Sequence, residues 1–189
     1  ERNGLPRPED LEPRAPLPED WLSDPEVEAL GDAKLIAAAR ECEEAARGYD
    51  RRVTNIAEAV AGTHSAESAI ASSFGLRDRA KGTWAWLFCA PVASDRNGMQ
   101  AAWWMSFARR LRDLDAPEAV GRESARRAVR MLSPRKSPTG RFPVVMEPQV
   151  AAEFVAGLAG AVNGDMVHKR ASVLAGRLGE EVASDLVTL

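Results

Sequence analysis

Apolar residues recur along this chain with two periods, and each change of period marks a change of element. Between Asp32 and Tyr49, the residues Leu35, Ala39, Cys42, Ala46 and Tyr49 return every three or four positions, which predicts a helix with one buried stripe. Asp32 stands where a cap belongs, and Glu41, Glu43, Glu44 and Arg47 fall on the wet side. From Val53 to Phe107 the period shortens towards two. The stretches RRVTNIAEAVAGTHS, AESAIASSFG, AKGTWAWLFCAPVA and GMQAAWWMSFARR predict four strands, with turns around His64–Ala66, Gly75–Arg79 and Ser94–Gly98. The last turn carries an Asn-Gly pair suited to a hairpin. Strands joined by such short turns are antiparallel, so the expected sheet is a meander. Trp84, Trp86 and Phe88 alternate onto one face of their strand, as Trp103, Met105 and Phe107 do on the next.

Helical periodicity returns at DAPEAVG, with Pro117 near the first helical position and Glu118 in the first turn, and lasts to Leu132. Ala125, Ala128, Val129 and Leu132 point inward there, while Arg122, Arg126, Arg127 and Arg130 face water. RFPVVME (Arg141–Glu147) reads as a short strand. Pro148 opens a third helix with Ala151, Phe154, Val155, Leu158 and Val162 as its buried stripe, ending at Gly164. A loop follows, and EEVASDLVTL closes as a strand. The fold class is α+β: an antiparallel β-meander packed with about three helices. The third helix is odd, because Gly157 and Gly160 lie inside it, where glycine costs up to about 1 kcal/mol against alanine. Either a neighbouring backbone comes close there, or these residues stand in place of others.

Ahead of these elements, residues 1–31 hold six prolines and many acids. They read as an extended arm or linker whose Leu5, Leu17, Trp21 and Leu22 dock elsewhere, leaving 32–189 as the α+β domain. The chain opens at Glu1 in mid-phrase, so a piece of a longer protein is expected. With 45% hydrophobic and 28% charged residues the composition is globular, and a net charge of −3 offers no general attraction to nucleic acid or an anionic membrane. No apolar run reaches the length of a membrane span, and no signal peptide is seen. Cys42 and Cys89, far apart in sequence and each on an apolar face, are expected to be buried free thiols in a reducing cytoplasm rather than a disulfide.

Candidate chemistry is sparse. Trp84, Trp86, Trp103 and Trp104, with Arg77, Arg79, Lys81, Arg109 and Arg110 nearby, could stack and neutralise a nucleic acid. The acidic balance favours the alternative, in which this sheet packs on the first helix. The arginines of 122–130 alternate with Glu118 and Glu123 as on a solvated helix, and SPRKSPTGR lacks the glycine pattern of a phosphate loop. His64 falls in a predicted turn and His168 follows a helix end. Neither belongs to a triad or a nucleophile elbow, and no metal-ligand spacing is present.

Read together, AARECEEAARGYDRRVTN, ASSFGLRDRAKGTWAWLFC, RNGMQAAWWMSFAR, EAVGRESARRAVRMLSPRKSPTGRFPVVMEPQVAAEF and NGDMVHKRASVLAGRLGEEVASDLVTL resemble the TldD/PmbA (TldE) family, long labelled modulators of DNA gyrase. The resemblance runs from about Asp32 to Leu189. It implies a cytoplasmic two-subunit peptidase. In the TldD-type subunit a His-Glu-x-x-x-His helix before a Gly-Asp supplies metal ligands and a general base. The PmbA/TldE-type subunit shares the fold without those groups and helps enclose the cleavage chamber. Set against Gly164-Asp165, the motif's two histidines fall on Val155 and Gly160 and its glutamate on Ala156. None can hold a metal or take a proton.

The resemblance therefore implies a non-catalytic PmbA/TldE-type subunit with no catalytic, cofactor-binding or metal residues of its own. Zinc or a similar divalent metal is expected in a TldD-type partner, in a heterodimer or higher assembly acting on unstructured peptides, with no membrane and no nucleic acid. The family's members are longer, with an α/β domain before the proline-rich arm and a β-rich domain after Leu189. Two rivals remain at this stage. One is a self-sufficient metallopeptidase using His168, Asp165 and further ligands. The other is a nucleic-acid or gyrase-associated module using the tryptophan-bearing sheet with Arg109 and Arg110.

Overall fold

The computed structural model of the protein describes residues 22–73 and 75–184. The stretch expected as one domain from 32 to 189 falls into two compact units that divide between Lys136 and Ser137. In the first, α1 (Pro25–Glu28) and α2 (Asp32–Tyr49) precede β1 (Val53–Ala71), β2 (Arg77–Asp95), β3 (Gly98–Ala101) and β4 (Trp104–Ala108), and α3 (Pro117–Arg130) follows. The second holds α4 (Pro148–Ala161) and α5 (Gly164–His168).

The sheet is antiparallel, as its short connections require. β1 and β2 form one long ribbon from Val53 opposite Ala93 to Ala71 opposite Arg77. β3 and β4 share the other edge of β2, pairing with Val92–Asp95 and Ala85–Cys89. The turn expected at His64–Ala66 is absent, and the first two predicted strands are one. Residues 64–66 include neither glycine nor proline, and each has a partner on β2. The fourth predicted strand instead breaks in two at Ala102–Trp103, opposite Pro91, whose ring nitrogen has no proton for a ladder. The hairpin at Ser94–Gly98 forms as expected, with Gly98 at φ 138.

Both longer helices of this unit lie on one face of the sheet. Cys42 and Ala46 of α2, Leu87 and Cys89 of β2, and Val120 and Ala125 of α3 form one buried cluster. The helices approach closely because the residues between them are small. A Cβ added to Gly121 on α3 would stand 2.1 Å from the carbonyl oxygen of Cys42.

The proline-rich arm is not extended as far as residue 31. Pro25 occupies the first turn of α1, where its missing N–H leaves nothing unpaired, and the Asp24 carboxylate caps it by accepting from Glu26 N at 2.9 Å. Asp24 also accepts from Leu111 N, and its own N–H donates to the buried Thr83 hydroxyl, both at 2.8 Å. Leu22 is described and lines a small cleft with Gly82, Trp84 and Arg109; Leu5, Leu17 and Trp21 lie outside the described residues.

In the second unit the predicted strand Arg141–Glu147 has no regular structure. Pro143 cannot donate to a ladder, and no strand lies beside it among the described residues. The segment expected as the closing strand is irregular through residue 184, and its last five residues lie outside the described ones.

Candidate functional site

The helix that resemblance singles out, α4, forms as expected from Pro148, which sits in its first turn. Its expected buried stripe is open, however. No residue of α4 is buried, and Phe154 and Val155 are 61% and 44% exposed. Phe154, Gly157 and Leu158, with Glu153 beside them, line a shallow apolar groove on its surface. Nothing lies within 4 Å of where a Cβ would stand on Gly157 or Gly160. The two glycines therefore accommodate no neighbouring backbone among the described residues.

Val155, Ala156 and Gly160 share this helix at the spacing of two metal-ligating histidines and a glutamate, yet none carries a donor atom. Among the described residues no group of three or more His, Cys, Asp or Glu side chains is placed to hold a metal ion. A divalent metal does not fit the residues present here. Asp165 and His168 lie three positions apart on α5, and the Asp165 carboxylate is already paired with Lys169 at 2.7 Å.

The sheet packs on the first helix, but Trp84 and Trp86 do not face it. Side chains alternate along β2, and those facing the helices are Ala85, Leu87, Cys89 and Ala93, all buried. Trp84, Trp86 and Phe88 point to the opposite face with Phe107, which is 56% exposed, and Phe88 stacks on Trp103 at 6.0 Å between centroids. The helix side of β2 is filled instead by smaller side chains, packed against Cys42 and Ala46 of α2 and Val120 and Ala125 of α3. His64, expected in a turn, sits on this aromatic face 5.4 Å from Trp84. Of the basic residues near it, Arg79 pairs with Glu67, Lys81 with Glu28, and Arg110 with Asp113 at 2.9 Å. The Arg109 guanidinium lies over the Trp84 ring at 5.0 Å. Trp104 alone of the predicted cluster turns to the helix side, where the Arg127 guanidinium covers it at 4.1 Å.

Arg127, expected to face water, is thus half-buried, and Glu123 holds both it and Arg126 at 2.8 and 2.7 Å. The Arg126 guanidinium, with Arg127 beside it, keeps the Glu123 carboxyl below the usual range. Cys42 and Cys89 are buried free thiols, as the sequence predicts. Both belong to one buried cluster, where their interaction with each other, with burial beside it, pushes the Cys42 thiol up.

An α+β unit with two helices on one face of a long antiparallel ribbon, followed by a second, helical unit, defines a class that known proteins share. Residues 25–132 match the PmbA/TldA metallopeptidase central domain and residues 139–189 the PmbA/TldA metallopeptidase C-terminal domain, so the chain belongs to this family. The metalloprotease PmbA of Escherichia coli O157:H7 is 30% identical over 163 residues, which cover 86% of this chain and 36% of that protein. A PmbA homologue of Buchnera aphidicola subsp. Acyrthosiphon pisum is 29% identical, covering 76% of this chain and 32% of that protein. The chain thus spans about a third of the length of these relatives. Among solved structures, a protein of Bacteroides thetaiotaomicron described as a modulator of DNA gyrase superposes with a TM-score of 0.83 at 23% identity, over 97% of this chain and 41% of that one. TldE of Thermococcus kodakarensis superposes at 0.66 with 21% identity, over 96% and 39%. These two likenesses establish the shared fold. No helix among the described residues is long and apolar enough to cross a membrane.

Proposed function

We propose that this chain is the central part of a non-catalytic, PmbA/TldE-type subunit that supports assembly and peptide enclosure in a cytoplasmic metallopeptidase. The observation that carries this reading is the composition of α4. Where the catalytic relatives are expected to place two histidines and a glutamate, it offers Val155, Gly160 and Ala156. The metal, zinc or a similar divalent ion, would then belong to a TldD-type partner, where it would supply the activation of water for attack on the peptide carbonyl. This chain contributes a largely apolar helix, without donor atoms at those three positions, to the wall of the chamber that receives unstructured peptides. The open face of α4 supports this role, since exposed apolar patches mark interaction surfaces.

The nucleic-acid reading is the weaker one. Arg79, Lys81 and Arg110 are each neutralised by a carboxylate, which leaves little charge for phosphates beside the aromatic face.

Reconstitution tests the proposal. The full-length protein is mixed with a TldD-type subunit from the same cell, and complex mass by light scattering and cleavage of an unstructured peptide are followed. The expected result is a complex that cleaves, with this protein inert alone. Chelator-sensitive cleavage by this protein alone would point instead to ligands that include His168 or Asp165.

A further inference from the structure

The peptidase reading gives no use to the aromatic face of the sheet. Trp86 pairs with Phe107 and Phe88 with Met105, so these four side chains share the face that points away from the helices. Phe107, Met105 and the adjoining Trp103 are all exposed among the described residues. The Trp86 ring lies over Gly62 of β1, where a Cβ would stand 2.3 Å from it. The face ends at Gly82, and there the backbone of Leu22 meets it. A Cβ on Gly82 would stand 3.1 Å from the Trp84 ring, 3.3 Å from the Arg109 guanidinium and 3.5 Å from the Leu22 carbonyl oxygen. Two residues later, the Asp24 N–H reaches the hydroxyl of Thr83, which alternation puts on the helix side. The described chain thus begins on the aromatic side and crosses the edge of β2 to reach α1.

We propose that this face is the docking surface for the chain's own proline-rich arm, with residues 15–21 (APLPEDW) lying along it. Three properties select this occupant. The first is reach. Gly82 to Phe88 spans about 20 Å of strand. An extended proline-rich chain gains about 3.1 Å per residue, so the stretch 15–21 covers that length and sets Leu17 near the Trp86–Phe107 pair. The second is chemistry: proline-rich segments, already extended, dock in aromatic-lined grooves at little entropic cost, and Pro16, Leu17, Pro18 and Trp21 bring apolar surface to bury. The third is charge. Glu19 and Asp20 stand next to Leu22 in the chain, and Leu22 shares a cleft with Arg109. That guanidinium lies over the Trp84 ring and has no carboxylate partner among the described residues. The tether at Leu22 also gives the arm an effective concentration on the order of millimolar, which a second copy or a separate protein has to outcompete. A nucleic acid is repelled by the arm's acids.

Photo-crosslinking of the full-length protein tests this. The photoreactive p-benzoylphenylalanine replaces Phe107 in one sample and Leu17 in another; position 107 is exposed, so the probe there leaves the core intact. Each sample is irradiated in dilute solution and the products are mapped by mass spectrometry. The expected result is a link within one chain, from position 107 to residues 15–21 and from position 17 to β2 or β4. Trp21→Ala should lower the yield by about ten-fold and Arg109→Gln by about three-fold, an aromatic anchor outweighing one ion pair. A link from position 107 to a second copy, to another protein or to any other segment of its own chain overturns the proposal. So does the absence of a link from either probe, or a yield that neither substitution changes.

Discussion

Gly121 on α3 and Gly160 on α4 are both interior glycines of fourteen-residue helices that begin with proline, and they do opposite things. Around Gly121 the chain is jammed: the missing Cβ is the gap through which α2 reaches α3. Around Gly160 there is open space, and the helix buries nothing. The same local sacrifice of helix propensity is thus repaid by packing within the first unit and left unrepaid in the second. That difference teaches where each unit's specificity lies. The first is a self-sufficient core. The second holds an apolar helix surface that none of the described residues covers.

The comparison breaks most directly at the crowded glycine. Gly121→Ala drives a methyl into the Cys42 backbone, which cannot swing aside, and should destabilise the first unit by about 3 kcal/mol, read from denaturant unfolding. Gly62→Ala tests a softer clash, since its Cβ would stand 2.3 Å from the Trp86 ring and a side chain can shift. A loss of about 1–2 kcal/mol is expected, with a change in tryptophan fluorescence as the indole moves. Gly160→Ala should act in the other direction, adding about 0.5–1 kcal/mol to the stability of the isolated protein, because the helix gains propensity and meets no obstacle. Light scattering then sharpens the contrast: if a partner's backbone seats on α4, the same change weakens assembly while it strengthens the helix.

The smallest expected effect is electrostatic. Glu123→Gln should cost about 0.5–1 kcal/mol at neutral pH through loss of the pairs with Arg126 and Arg127. Because folding lowers the pKa of this carboxyl, its contribution is full above the ordinary glutamate range and disappears as pH falls through the folded value. Unfolding curves of the two proteins should therefore converge on acidification. A constant gap would assign the effect to packing.

Much of the first unit was legible in its residues. The spacing of Leu35, Cys42 and Ala46 marked α2, and Pro117 marked the start of α3. The long hairpin was not, because Ser and Thr at 63–65 suit both turn and strand, and only pairing across to β2 decides between them. Nor could alternation alone say which face of β2 meets the helices. It separated Trp84, Trp86 and Phe88 from Ala85, Leu87 and Cys89, but only the folded chain shows that the second set meets the helices. In the second unit the 3.6-residue period found α4 and wrongly promised it a cover, since a period states which residues share a face and not what lies against it. The candidate site was readable only through resemblance, for the residues at its key positions are the ones with no chemistry.

The central claim is that α4 occupies the place of a metal-binding helix and binds none. Metal analysis of the full-length protein, purified alone and then from a complex with a TldD-type subunit, tests it most directly alongside peptide cleavage. The account predicts no stoichiometric metal and no cleavage for the protein alone, with both appearing only in the complex and following the partner's own histidines and glutamate. Stoichiometric metal in the isolated protein, lost together with chelator-sensitive cleavage in His168→Ala, would contradict it.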